Sequence, residues 1–180
     1  MTTENIISTI YDYYPKDIDW DNIEAVADSL EYKNRINKCH EAAANNMSWV
    51  NLKEELTTYN LSLNGSRVYD YSILGSVPCY HGSMIFGALK SNIISLFISV
   101  IIPLWSYRIM DRDGIFPIRF KYVNKEEEII VQNLTALVAK HFPKYNIISE
   151  DQHQIVIPDI TTAFKQAPKI FEAIFTENEN

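Results

Sequence analysis

The chain has 180 residues, of which 47% are hydrophobic and 22% charged, and its formal net charge is −7. Its 11 tyrosines, 8 phenylalanines and 3 tryptophans, with 5 glycines, exclude disordered and low-complexity classes. Two cysteines are too few for a disulfide framework, and the opening residues lack the basic and apolar pattern of a signal peptide. We therefore expect a cytoplasmic protein.

The negative charge is concentrated at the start of the chain. Up to Glu31 there are eight acidic residues against one base, Lys16, whereas the remaining residues carry 15 acids and 15 bases. Local charge of this kind steers partners, and it favours a basic protein surface over nucleic acid or an anionic membrane. Part of it has a structural explanation, because Asp21 and Glu24 have the spacing of a capping box.

The first elements in chain order are predicted to be helices. Residues 21–59 predict two helices separated at Asn45–Asn46, and Asn64–Gly65 ends the helical part. The first helix is expected to bury four apolar residues that recur at helical spacing: Ile23, Val26, Ala27 and Leu30.

Strands are predicted next, at residues 67–74 and 79–89, the second broken by Gly82 and Gly87. The apolar run 93–105 is too short to span a membrane, and its Ile and Val content favours a buried strand. Residues 104–110 are predicted to continue that strand past Pro103. A turn at 111–114 and a returning strand at 116–123 follow.

The last part of the chain predicts a helix that begins after Asn124, with acids in its first turn and Lys140 and His141 in its last. Residues 145–149 and 153–157 predict a short hairpin, and residues 168–175 a terminal helix. The order of elements predicts an α+β fold in one domain, residues 1–180, with a mainly helical part (1–64) before a sheet with helices (65–180). We expect an antiparallel sheet of about four to six strands with helices packed on one face.

No catalytic or phosphate-binding motif is present, so we predict neither an enzyme nor a cofactor. Cys39–His40 with Cys79 and His81 are residue types that bind zinc. However, neighbouring helical residues point about 100° apart, so no metal is predicted. Cys79, His81 and Asp70 are the one candidate set of nucleophile, base and orienting carboxylate for a cysteine enzyme. A small enzyme that uses them stays an alternative.

Three stretches of the chain, residues 10–16, 99–107 and 169–175, resemble immunity proteins of bacterial polymorphic toxin systems. The resemblance implies a one-to-one complex in the cytoplasm, in which the protein occludes the active site of its cognate toxin. It implies no role for any individual residue.

The predicted partner-binding residues follow from charge and aromatic content instead. They are Tyr13, Tyr14, Asp17, Asp19, Trp20, Asp21, Glu24 and Asp28. The expected partner is a toxin protein, a basic nuclease being one candidate, and neither nucleic acid nor a membrane. Two alternatives stay open: the aromatic residues attach the N-terminal segment to the domain, or the protein is an interaction or scaffold protein without a toxin partner.

Overall fold

The computed structural model of the chain describes residues 1–75, 77–86, 92–111, 118–163 and 165–176. Helices precede a sheet that carries further helices, which confirms the predicted α+β fold. In chain order the elements are α1 (Thr3–Ile10), α2 (Ile23–Asp28), α3 (Leu30–Ala44), α4 (Met47–Ser62), β1 (Tyr69–Asp70), β2 (Cys79–Ile85), β3 (Asn92–Ser99), β4 (Leu104–Asp111), α5 (Lys125–His141), β5 (Asn146–Ile147), α6 (Glu150–His153) and α7 (Ile170–Ile174).

Among the described residues the sheet has five strands, in the order β1-β2-β3-β4-β5. The first four pair antiparallel, and β5 pairs parallel with β4, so the sheet is mixed. The apolar run 93–105 forms β3 and the start of β4, as strands and not as a helix. Within the described ranges, no helix has both the length and the apolar character needed to cross a membrane.

Helices cover both faces of the sheet. On one face, Ile94, Leu96 and Ile98 of β3 share a buried cluster with α4 and α5. On the other face, Phe97 shares a second cluster with α1 and α7. The predicted packing of helices on one face therefore holds for α4 and α5 only. Helices α1 and α7 form a second layer on the other face, because the central strand β3 is apolar on both sides.

The predicted continuation of the strand past Pro103 is wrong, because the chain reverses at residues 100–103 and β4 returns along β3. The Ser99 hydroxyl accepts hydrogen bonds from the amides of Ile101 and Ile102, both at 3.3 Å, and so fixes the turn. Pro103 lies inside this turn, where its missing amide costs no ladder hydrogen bond. The predicted turn at 111–114 lies outside the described residues except for Asp111, which ends β4. Among the described residues, the returning strand is represented by one bridge between Ile109 and Arg119.

The first predicted helix is two helices, separated at Ser29. Ser29 has extended backbone angles and caps α3 by accepting a hydrogen bond from the Tyr32 amide at 3.2 Å. The predicted capping box at Asp21 is wrong as well, because Asn22 caps α2. No helix is predicted before residue 21, yet α1 is present and buries Ile6 and Ile10.

The predicted hairpin at 145–157 is wrong. Residues 146–147 form β5, and residues 150–153 form the short helix α6, which begins with a complete capping box between Ser149 and Gln152. The predicted strand at 67–74 is shortened to β1. In contrast, α5 begins after Asn124 as predicted, and it buries Ile130, Leu134 and Val138 at helical spacing.

Gly82 lies inside β2 and does not break it. A Cβ atom at this position would lie 2.9 Å from Val68 Cγ1 and 3.0 Å from the Trp49 ring, so the missing side chain lets α4 pack directly on the strand. We expect Gly82→Ala to lower the free energy of unfolding by about 1–2 kcal/mol because it overpacks this contact. Urea denaturation measures the change. Arg67→Ala, at an exposed position nearby, is the control, and an equal effect of both would contradict the explanation.

His153 is buried, with Nε2 2.9 Å from the Ser106 hydroxyl and its ring against Phe120. Burial lowers the pKa of His153 to about 4. The unfolded chain therefore binds a proton that the folded chain does not between pH 6.5 and 4, and stability falls as the pH falls through that window. We expect wild type to lose about 2 kcal/mol more than His153→Gln between pH 7 and pH 4. Parallel losses in urea titrations at both pH values would contradict this.

Candidate functional site

The acidic opening of the chain runs along a C-terminal segment and is held there by backbone contacts. Lys16 forms a β-bridge with Ile160, and the Asp17 amide donates to the Asp159 carbonyl at 3.0 Å. The Trp20 amide donates to the Thr161 hydroxyl at 3.0 Å. The side chains of residues 17–21 are thus displayed on a fixed backbone.

Tyr14 is the one predicted partner-binding residue that is buried in the structure. Its ring is fully buried, and its hydroxyl donates to the Ala173 carbonyl at 2.6 Å, which joins the N-terminal segment to α7. Its prediction as a partner contact is wrong, because an aromatic residue among acids is equally suited to attach a segment to the core. Tyr13 is half-buried, and burial raises its pKa.

Trp20 combines an attachment role with partial exposure. Its ring meets Tyr32 edge-on with the centroids 5.9 Å apart, and the Arg35 guanidinium lies 5.1 Å from the ring. The ring therefore holds the segment against α3. Because Trp20 is half-buried, part of it stays accessible to a ligand or partner.

The acids at positions 17, 19, 21, 24 and 28 are exposed. Within the part of the chain that the structure describes, Asp28 is the member of this set that forms an ion pair, at 3.6 Å from Lys33. The one base of the opening, Lys16, does not offset them, because its amine lies 3.7 Å from Asp159 and 3.4 Å from the centre of the Tyr11 ring. Lys165 lines the groove of Asp19 and Asp21 but is paired with Glu172, so the five exposed carboxylates leave this surface net negative.

The acids fall into two groups along the chain. Asp17 and Asp19 line a shallow groove with Asp159, and Asp19 and Asp21 line the next groove. Glu24 and Asp28 lie one turn apart on α2 and so share one side of that helix. All five predicted acids are exposed, and none of them caps a helix through its side chain.

Three apolar residues close to these acids in the chain, Ile23, Ala27 and Leu30, were predicted to be buried and are exposed. Ile23 is 73% exposed and Leu30 is 69% exposed, whereas Val26 is buried. Ile23 and Ala27 form an apolar row on α2 next to the acidic row. We call this region the acidic surface: Asp17, Asp19, Asp21, Ile23, Glu24, Ala27, Asp28 and Leu30. An exposed apolar patch bordered by charges is typical of a protein interface.

The candidate catalytic set of Cys79, His81 and Asp70 does not form in the structure. The Cys79 thiol is buried and donates to the Phe175 carbonyl at 2.8 Å, and burial raises its pKa. Asp70 accepts from the Trp49 indole at 3.0 Å and from Lys53 at 2.7 Å instead of orienting His81. A nucleophilic thiol needs a lowered pKa and a base beside it, and this arrangement provides neither.

The other pair considered for chemistry, Cys39 and His40, is divided between the interior and the solvent. Cys39 is buried, and His40 is exposed on the same helix. Among the described residues, no three His, Cys, Asp or Glu side chains are grouped so that they could hold a metal ion.

No protein-family model, curated protein or solved structure matches the chain. The residues themselves must therefore support any functional assignment.

Proposed function

We propose that the chain is a protein-binding inhibitor that neutralises a basic bacterial toxin by covering its active site, as an immunity protein does. The observation that carries the proposal is the acidic surface, which combines exposed carboxylates with Ile23 and Leu30, exposed by 73% and 69%. An enzyme that acts on a polyanion needs a basic active-site groove, and an acidic protein surface is complementary to it.

The two kinds of residue would contribute to binding in different ways. The carboxylates of Asp17, Asp19 and Asp21 would speed the encounter with a basic surface. Burial of Ile23 and Leu30 would slow dissociation, because apolar contacts at the centre of an interface exclude water. Backbone contacts of residues 16–20 with 159–161 keep the acids in place before binding, which reduces the entropy lost in the complex.

The experiment needs a candidate toxin, and the C-terminal domain of the protein encoded immediately upstream is the first to test if that protein is secreted. Wild type should restore growth when both are co-expressed, and Asp17→Lys, Asp19→Lys and Asp21→Lys together should weaken affinity about 100-fold. Most of that loss should appear in the association rate, and it should shrink at high salt. Leu30→Ser should instead speed dissociation.

The matched control reverses three exposed acids elsewhere, Glu54, Glu126 and Asp151, and makes the same change in net charge. Affinity close to that of wild type is expected for this control, because its charges lie outside the acidic surface. Unchanged affinity of the Asp17, Asp19 and Asp21 variant, or an equal loss in the control, would refute the assignment.

A second candidate function is self-association through the edge of the sheet. Strand β1 lies at that edge, and Tyr69, Tyr71 and Ile73 are exposed by 56%, 56% and 65%. An interaction or scaffold protein of this kind would form a stable homodimer without a toxin. Light scattering of wild type and Ile73→Lys distinguishes it, since a dimer that the substitution dissociates would favour this function over the first.

A further inference from the structure

A cavity of about 570 Å³ is lined by three parts of the chain. They are the N-terminal part, which contributes Trp20 and Tyr32, the loop between β1 and β2, and the residues that follow α7. The volume falls in the range of about 300–1,000 Å³ that is usual for sites of small organic ligands. The cavity is therefore large enough to hold one such molecule.

The walls of the cavity are mainly aromatic and apolar. Trp20 and Tyr32 line it with rings that meet edge-on, their centroids 5.9 Å apart. Tyr71 and Ile73 line it from the loop between β1 and β2 and are 56% and 65% exposed, whereas Phe175 is fully buried. Aromatic rings prefer edge-on or offset contact with other rings. Walls of this kind favour a flat aromatic molecule over an inorganic ion.

The charged and titratable residues of the lining do not require a charged ligand. Arg35 and Arg108 both have interactions within the chain, so neither is a free cation. Burial lowers the pKa of His81 to about 4, so its imidazole is neutral at pH 7. A carboxylate that leaves water for such a cavity loses solvation that an already engaged guanidinium does not replace. An uncharged ligand avoids this cost.

Thr176 supplies a polar group that a ligand could use. It lines the cavity, and its hydroxyl oxygen is buried and has no hydrogen-bond partner among the described residues. A buried hydroxyl without a partner has lost its hydration and gained nothing in exchange. The residue as a whole is half-buried, so rotation about its χ1 bond can turn the hydroxyl toward the cavity. A ligand hydroxyl would then supply the missing hydrogen bond.

We propose that this cavity binds an uncharged aromatic molecule that carries a hydroxyl group. The rings of Trp20, Tyr32 and Phe175 would pack against the aromatic body, and Ile73 would cover part of it. The Thr176 hydroxyl, which can both donate and accept, would hydrogen-bond the hydroxyl of the ligand. This site does not rest on the proposed toxin partner, so either proposal can fail without the other.

Calorimetric titration with 2-naphthol and with 2-naphthoate tests the proposal, because the two probes share a ring system and differ in charge at pH 7. The 2-naphthol should bind at least about tenfold more tightly, since burial of a carboxylate is costly. In NMR spectra the indole signal of Trp20 should shift when 2-naphthol is added. The signals of Trp49 and Trp105, which are not among the lining residues, should stay in place.

Two variants locate the ligand in the cavity. Thr176→Val removes the hydroxyl and should weaken 2-naphthol binding about fivefold, the effect of one neutral hydrogen bond, whereas Thr176→Ser should retain the affinity. Ile73→Asp, at an exposed lining residue, should weaken binding at least about tenfold because it places a charge against the ligand ring. Ile129→Asp, at an exposed isoleucine outside the lining, is the control and should leave the affinity unchanged.

Three outcomes would overturn the proposal. The first is equal or tighter binding of 2-naphthoate, or no binding of 2-naphthol at millimolar concentration. The second is an affinity for 2-naphthol that is unchanged in Thr176→Val or in Ile73→Asp. The third is a shift of the Trp49 or Trp105 signal without a shift of Trp20, which would place the ligand elsewhere on the protein.

Discussion

Replacement of Phe171 by alanine is expected to lower the free energy of unfolding by about 4 kcal/mol, because it removes a large ring from a closed aromatic cluster. Phe171 is 1% exposed, and its ring lies 5.4 Å from Phe97, 4.9 Å from Phe120 and 5.2 Å from Phe175. These contacts join α7 to β3 and to the segment after β4. Urea denaturation followed by circular dichroism measures the loss.

Tyr122→Ala is the matched control, because it removes a ring of similar size from a position that is 45% exposed. We expect it to cost less than about 1 kcal/mol, since little apolar surface is lost from the core. Phe171→Leu should fall between the two because it retains part of the buried volume. A loss below about 1.5 kcal/mol for Phe171→Ala would mean that α7 contributes little to the core.

The elements that the sequence predicts well are those with strong local signals. Helix α5 carries a cap at Asn124, acids in its first turn, and Ile130, Leu134 and Val138 at helical spacing. All of these signals lie within one stretch of chain, so no distant contact is needed to specify the helix. The ends of α3 and α4 at Asn45–Asn46 and near Asn64 are predictable for the same reason.

The errors arise where distant contacts decide the structure. Residues 93–105 contain no Gly, Asn or Asp to mark a turn, and the reversal depends on the Ser99 hydroxyl and on the pairing of Leu96 with Tyr107. Strand β5 forms because residues 146–147 pair with β4, about 40 residues earlier in the chain. Tertiary pairing of this kind overrides local propensity in short segments.

For the acidic surface, the exposure of the acidic residues was predictable from the sequence, but the exposure of its apolar residues was not. Acidic residues are usually exposed, so the positions of Asp17, Asp19 and Asp21 follow from residue type. Ile23 and Leu30 share a helical spacing that implies burial, but the break at Ser29 places them in separate helices. Tyr14 is buried because α7 returns to it from 159 residues away.

Replacement of Glu127 by alanine is expected to lower the free energy of unfolding by about 3 kcal/mol. Glu127 is 1% exposed, and its carboxylate accepts two hydrogen bonds from Arg119 at 2.9 Å, one from the Val123 amide at 2.8 Å and one from Asn92 at 2.9 Å. These contacts hold residues 119–123 and β3 against α5. Loss of one member of a buried ion pair costs about 3–5 kcal/mol, and we take the lower end because Arg119 is partly exposed.

The effect of Glu127 should also depend on pH in a defined direction. The hydrogen bonds from Arg119 lower the pKa of the Glu127 carboxyl from its usual 4.5. Its contribution is therefore complete above pH 4.5 and is lost as the pH falls through the lowered pKa. The difference in unfolding free energy between wild type and Glu127→Gln should be constant from pH 7 to pH 5 and should shrink toward pH 3.

Glu126→Ala separates this ion pair from the general benefit of acids in the first turn of α5. Glu126 is exposed in that turn, so its removal should cost less than about 1 kcal/mol through the helix dipole. Equal losses of unfolding free energy for Glu126→Ala and Glu127→Ala would show that the helix dipole, and not the Arg119 ion pair, is the source of the stabilisation. If the wild-type and Glu127→Gln difference stayed constant down to pH 3, the Arg119 pair would not be its source.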